Sequence, residues 1–217
     1  MPVNTENYRS LLAELKGKAT LVTVSKTKPV ADIQELYDLG QRDFGENYVQ
    51  ELVDKEAQLP KDIRWHFIGH LQRNKVKFIA PFVYLVHGVD NEGLIKEINK
   101  QAIRNNRQID CLLQVHIAIE ETKFGFDENE LKQASTFCRS AELKNIHIAG
   151  LMGMASFSDD KNLVRSEFTI LKKLFDQDAQ FSILSMGMSG DYPIAMEEGS
   201  NMVRIGSLIF GERNYSK

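Results

Sequence analysis

Cysteine is scarce in this chain: 217 residues hold only Cys111 and Cys138, and no CxxC pair occurs. That excludes a disulfide-stapled scaffold, a zinc ribbon and a thioredoxin-type motif, and two reduced thiols in a cytoplasmic protein are expected. No charge of one sign dominates. Lys plus Arg is 27 against 30 for Asp plus Glu, a net charge of −3, so neither a nucleic-acid nor an acidic-membrane partner is expected. No hydrophobic run reaches the ~20 residues of a membrane span. The longest, Phe78 to Val89, is interrupted by Pro81 and His87. The N-terminal MPVNTENYRSLLAELKG lacks a basic start followed by an apolar stretch, so no secretory signal is expected. The phosphate loop GxxxxGK[ST] is missing, and Ser189 stands outside any GxSxG elbow. His66 and His70 are four apart but straddle Gly69 at a strand end, and His87, His116 and His147 are scattered. No metal site is expected.

What is present is alternation. Asn4 or Thr5 can cap a first helix with Leu11, Leu12 and Leu15 on one face and Gly17 near its end. Leu21 to Val24 is a continuous β-branched and apolar run, the pattern of a strand buried on both faces. Pro29 can open the next helix, with Ile33 and Leu36 inward and Gly40 as its stop. The same reading places strands at Phe44, Trp65–Ile68, Tyr84–Val89, Ile109–Ile117, Ile146–Met152, Phe181–Leu184 and Met202–Phe210. Helical segments separate them: about Tyr48 to Ala57, Gln72 to Ile79, one capped by Asp90, one opened by Asp127 with Glu130, one carrying Leu163 to Phe175, and Ile194 to Glu197. Eight strands joined by helical crossovers require parallel pairing. The expectation is an α/β protein: a single (β/α)8 TIM barrel domain over residues 1–217, with an extra N-terminal helix. An open doubly wound sheet is the structural alternative.

Barrel enzymes place their chemistry at the C-terminal ends of the strands. Lys26 directly follows the first strand. Burial or a neighbouring cation there would release a neutral, nucleophilic amine, although most strand-end lysines are simply solvated. The glycine-rich stretch Ser185–Asp191 can aim backbone N–H groups and the Ser189 hydroxyl at a phosphate. Gly206 and Ser207 offer a second donor set on the next strand, where barrels commonly hold phosphate. A turn and a bulge would read the same way. Arg204 interrupts an apolar strand and needs an acceptor, either a bound ligand or an internal carboxylate such as Glu46 or Asp191.

Five runs in order carry a resemblance: Val24-Ser25-Lys26-Thr27-Lys28-Pro29, Phe44-Gly45-Glu46-Asn47-Tyr48-Val49-Gln50-Glu51, Trp65 to Lys75, Leu184-Ser185-Met186-Gly187-Met188-Ser189 and Val203-Arg204-Ile205-Gly206. Together they resemble the pyridoxal phosphate homeostasis protein family, over nearly the whole chain. The resemblance implies a barrel similar to the N-terminal domain of alanine racemase. It implies pyridoxal 5′-phosphate as cofactor, held by Lys26 as an internal aldimine. Ser189, Gly206 and Ser207 would then hold the phosphate, and Arg204 would face the pyridine nitrogen. Asn47, His66 and Met188 would line the ring. Where Ser207 stands the family commonly has Thr, which keeps the hydroxyl. A positive Arg204 disfavours a proton on the ring nitrogen and so weakens the ring as an electron sink.

The activity implied is that of an intracellular carrier or buffer of the cofactor, without robust catalysis. Apoenzymes that use the cofactor are its possible recipients, and a monomer is expected. The alternative is an amino acid racemase. That chemistry needs a second acid/base, which alanine racemase draws from a further domain not expected in this chain. Tyr48, Tyr192 and Tyr215 are substitutes that nothing in the sequence places.

Overall fold

A computed structural model of the chain describes residues 3–120, 124–140 and 142–211. Eight parallel strands close on themselves in chain order: β1 (Thr20–Val24), β2 (Asp43–Glu46), β3 (Arg64–Phe67), β4 (Leu85–Val89), β5 (Ile109–Gln114), β6 (Ile146–Met152), β7 (Ile183–Ser185) and β8 (Met202–Ile205). The seam is the pairing of β1 with β8, where Val22 lies opposite Arg204. This is the (β/α)8 barrel that the alternation requires.

The helices follow the sequence pattern closely. α1 (Thr5–Leu15) is capped by Asn4, whose Oδ1 accepts the Asn7 N–H at 2.9 Å, and it buries Tyr8, Leu11 and Leu15. An N-cap of this type is worth about 1 kcal/mol. α2 (Val30–Asp38) begins directly after Pro29, and α3 (Val49–Glu56) lies between β2 and β3. A 3₁₀ turn at Arg73–Lys75 runs into the one-turn helix α4 (Val76–Ile79). α5 (Glu92–Arg104) takes its cap from Asn91 rather than Asp90, the Asn91 Oδ1 accepting from Leu94 N–H. α6 (Glu128–Cys138) opens on a reciprocal Asp127–Glu130 capping box. α7 (Lys161–Asp176) is capped by Asp160, and α8 (Tyr192–Glu197) and α9 (Ser207–Phe210) are short.

Two strands end earlier than the sequence suggests. The last was expected to run from Met202 to Phe210. It stops at Ile205, Gly206 leaves the extended conformation (φ −121°, ψ −67°), and Ser207–Phe210 form α9. Short apolar runs read alike as buried strand and buried helix. The fifth stops at Gln114 rather than Ile117. Beyond it Val115 keeps one bridge to Phe126, because Gln114 O accepts the Phe126 N–H instead of continuing a ladder.

Apolar residues form two layers. One lies between strands and helices and includes Phe44, Trp65, Phe67, Leu94, Phe168 and Phe210. The other fills the barrel and comprises Val22, Leu85, Leu112, Ala149, Met152 and Met202. The extra helix α1 lies beside the seam: Asn4 N–H donates to Ile209 O at 2.8 Å and Asn7 Nδ2 to Leu208 O at 3.0 Å. It thereby fixes α9, and with it Gly206 and Ser207, at the barrel rim.

Candidate cofactor site

A cavity of ≈ 710 Å³ opens at the C-terminal end of the barrel. Its wall gathers Val24 and Lys26 from β1 and its loop, Asn47 after β2, Ile68 after β3, Met154 and Ser156 to Asp159 after β6, Met188 to Asp191 after β7, and Arg204, Gly206 and Ser207 from β8 and its end. Of the eight residues expected at the site, Lys26, Asn47, Met188, Ser189, Arg204, Gly206 and Ser207 line this one space. Lys28 also lines it, and its Nζ donates to Phe210 O at 2.9 Å.

Lys26 is half-buried on a tight turn in which Lys28 N–H donates to Ser25 O at 3.0 Å. Asn47 is pressed against Gly69: a Cβ on Gly69 would stand 2.5 Å from Asn47 O, so only glycine permits this approach. The Asn47 Oδ1 is buried without a hydrogen-bond partner. An orphaned acceptor in a cavity wall is the kind of group that a bound molecule satisfies.

Two glycine-bearing segments meet where β7 and β8 end. Gly187 has φ +93°, and a Cβ there would come within 2.6 Å of Ala195, so the loop turns tightly onto α8. Met188 N–H donates to Asp191 Oδ1 at 2.6 Å, which closes the loop. Gly206 N–H donates to Ser189 Oγ at 3.3 Å, joining the loop after β7 to the end of β8.

Arg204 is buried, and its acceptors within the chain are neither of the carboxylates, Glu46 and Asp191, that the sequence offered beside a bound ligand. Nη1 donates to Ser185 O at 2.9 Å and to Ser185 Oγ at 2.6 Å, and Nη2 donates to Gly153 O at 3.1 Å. Glu46 is engaged instead with Ser25 and Lys55. Burial pulls the Arg204 guanidinium down to about 10, with Asp191 opposing, so it stays a cation at neutral pH.

His66 departs from expectation. It does not line the cavity among the described residues; it is fully buried inside the barrel beneath it. His66 pairs with Gly45 one residue before the end of β3, and its side chain turns into the barrel interior. Its Nε2 lies 3.0 Å from Asp43 Oδ1 and its Nδ1 2.9 Å from His87 Nε2. His87 Nδ1 lies 3.1 Å from Ser185 Oγ. A polar chain thus runs through the barrel from Arg64 and Asp43 at the N-terminal mouth to Arg204 at the cavity.

The chain matches the family model described as alanine racemase, N-terminal domain, over residues 4–214. It is 42% identical over 203 residues to the pyridoxal phosphate homeostasis protein of Aquifex aeolicus, covering 91% of this chain and 88% of that one. The chain belongs to the pyridoxal phosphate homeostasis protein family. The human protein of that name is 40% identical over 215 residues, covering 91% of this chain and 78% of its own. PipY of Synechococcus elongatus, solved with pyridoxal phosphate bound, superposes with a TM-score of 0.85 at 32% identity, covering 95% and 99% of the two chains. An alanine racemase from Bartonella henselae, with covalently bound pyridoxal phosphate, shares the fold alone at 18% identity and a TM-score of 0.73.

Within this homeostasis-protein barrel, sequence reasoning missed two things. One is the wall after β6 beyond Met154, Ser156 to Asp159, which no motif marks. The other is the interior chain Asp43–His66–His87–Ser185. Its signal was legible: polar residues inside otherwise apolar strands, as His87 is in Leu85–Val89.

Proposed function

We propose that this protein binds pyridoxal 5′-phosphate reversibly and acts in its intracellular homeostasis as a carrier or buffer. The observation that carries the reading is the convergence of Lys26, Asn47, Met188, Ser189, Arg204, Gly206 and Ser207 on one cavity, in a chain with a 32% identical relative solved with that molecule bound. The residues fit the group. The Lys26 amine shares the cavity with the loop donors of Ser189, Gly206 and Ser207, which suit a phosphate, and the orphaned Asn47 Oδ1 needs a partner. The cofactor supplies an aldehyde. Lys26 would hold the group through its side-chain amine, and the aldehyde would supply reversible carbonyl–amine chemistry there. Ser189, Gly206 and Ser207 hold the phosphate, Asn47 and Met188 flank the ring, and Arg204 faces the ring nitrogen. His66 acts from beneath, through His87 and Ser185.

The same reading assigns no robust catalysis. Arg204 holds positive charge where a good electron sink needs a proton. Among the described residues the cavity wall presents no tyrosine or histidine as a second acid/base. Of the tyrosines offered from sequence, Tyr192 donates its hydroxyl to Glu14 at 3.0 Å, Tyr48 is exposed, and Tyr215 lies outside the described residues. Recipients are apoenzymes that use the cofactor, and the protein is read as a cytoplasmic monomer with one domain. The test is a spectral titration with pyridoxal phosphate of wild type and Lys26→Ala, with an assay of D- and L-amino acid interconversion. Loss of the reducible adduct in the variant and no turnover support the reading; turnover at enzyme-like rates overturns the assignment as a carrier.

A further inference from the structure

The turn that presents Lys26 is held in an unfavourable backbone conformation by a buried side-chain cluster from α3. Ser25 O accepts the Lys28 N–H, so Lys26 and Thr27 are the central residues of a four-residue turn. Thr27 has φ +64°. That position of such a turn normally takes glycine, and a β-branched residue there is a clear exception. Its N–H donates to Glu51 Oε1 at 2.6 Å. The same Glu51 oxygen accepts from Lys55 Nζ at 2.6 Å, one helical turn along. Lys55 is buried, and its ammonium also donates to Ser25 O and to Glu46 Oε1, each at 2.8 Å. All three ammonium donors are therefore used. Glu46 Oε1 in turn accepts from Ser25 Oγ at 2.6 Å. The first residue of the turn, Ser25, and its left-handed residue, Thr27, are thus tied to one ammonium, directly at Ser25 O and through Glu51 at Thr27 N–H.

We infer that Glu51 and Lys55 are positioning residues: they clamp the Ser25–Thr27 turn in its left-handed form and so aim the Lys26 amine into the cavity. This rests on the reading of Lys26 as the cofactor-bearing amine. Neither side chain lines the cavity, so they act through the turn and not on the bound molecule. Threonine is the residue for which the clamp matters. A left-handed L-residue reverts readily to an extended form when its tether is cut, whereas glycine accepts either sign of φ.

The test is a rescue experiment on the cofactor-free protein. The rate of capture of pyridoxal phosphate is followed by absorbance in wild type, Glu51→Ala, Glu51→Gln, Thr27→Gly and the Thr27→Gly/Glu51→Ala double variant. Folding is checked by thermal denaturation before loading. Glu51→Ala is expected to slow capture about tenfold. Glu51→Gln keeps an acceptor for the Thr27 N–H and is expected to stay within threefold of wild type. The double variant is expected to return to within threefold as well, because a glycine turn no longer needs the tether. A purely structural role for Glu51 would not be rescued by Thr27→Gly. Capture by Glu51→Ala at the wild-type rate, or a double variant as slow as Glu51→Ala, overturns the inference. If Glu51→Ala alone does not fold, the double variant decides: folded with fast capture supports the clamp, and slow or unfolded contradicts it. A Lys26→Ala control separates the two levels. A reducible adduct surviving in that variant removes the reading of Lys26 itself, whereas its loss there together with a normal Glu51→Ala removes only the clamp.

Discussion

The Ser185 hydroxyl lies 2.6 Å from the Arg204 guanidinium, which makes this serine the junction between the cavity and the polar chain inside the barrel. The proton positions along that chain follow from its ends. Arg64 and His66 hold the Asp43 carboxyl at about 2 against the pull of burial, so Asp43 is an acceptor at neutral pH. His66 therefore donates from Nε2 to Asp43 and accepts at Nδ1 from His87 Nε2–H. His87 then accepts at Nδ1 from the Ser185 hydroxyl, which itself accepts from Arg204. Every link has one donor and one acceptor, and both rings are neutral.

Removing the junction leaves two buried groups short of a partner. Ser185→Ala is expected to lower stability by about 1–3 kcal/mol, the usual cost of an unsatisfied buried polar group. Urea denaturation reads this as a lower midpoint at unchanged slope. A loss below about 0.5 kcal/mol would mean that the serine hydroxyl is not what His87 and Arg204 depend on.

The two buried imidazoles set the direction of the pH response. Burial lowers the affinity of both His66 and His87 for a proton, and for His87 strongly, with the charge of Arg204 adding to the effect. Below the unfolded value of 6.5 the unfolded chain takes up protons that the folded chain refuses. This contribution to stability is complete above that value and is lost progressively as pH falls through it. Asp43 acts in the same sense at lower pH, its contribution present above 3.8 and lost as pH falls through about 2. Urea midpoints should stay level from pH 7.5 to about 6.5 and fall from there to pH 4.5, and nitrogen NMR should find both rings neutral with the proton on Nε2 at pH 7. A protonated ring at pH 7 would contradict the chain as drawn.

Gly69→Ala tests how closely Asn47 is held. The added methyl would stand 2.5 Å from Asn47 O, and backbone must move. Overpacking of this kind costs about 1–3 kcal/mol. The displaced Asn47 should also weaken retention of pyridoxal phosphate, measured by equilibrium dialysis. Unchanged stability and retention would show that Asn47 and Gly69 are free to separate.

The barrel was legible because its signal is repeated. Strand and helical segments alternate from Leu21–Val24 onward, and eight repeats leave few topologies. That Lys26, Asn47 and Ser189 gather at one cavity was legible from the strand ends they follow. Depth within a strand was harder to read. His66 lies one residue from the end of β3, yet it faces the interior and not the cavity. Local pattern does not tell which polar residue of a strand reaches the rim, since that depends on stagger between neighbours. The tether at Thr27 was hidden for a related reason: a threonine gives no turn signal of its own, and Glu51 and Lys55 read as an ordinary helical ion pair.

The most direct measurement is borohydride reduction of the protein loaded with pyridoxal phosphate, followed by peptide mapping. The account predicts a yellow band that reduction abolishes and a single modified residue, Lys26. A band that maps to Lys28, or a protein that stays colourless with excess pyridoxal phosphate, would contradict it.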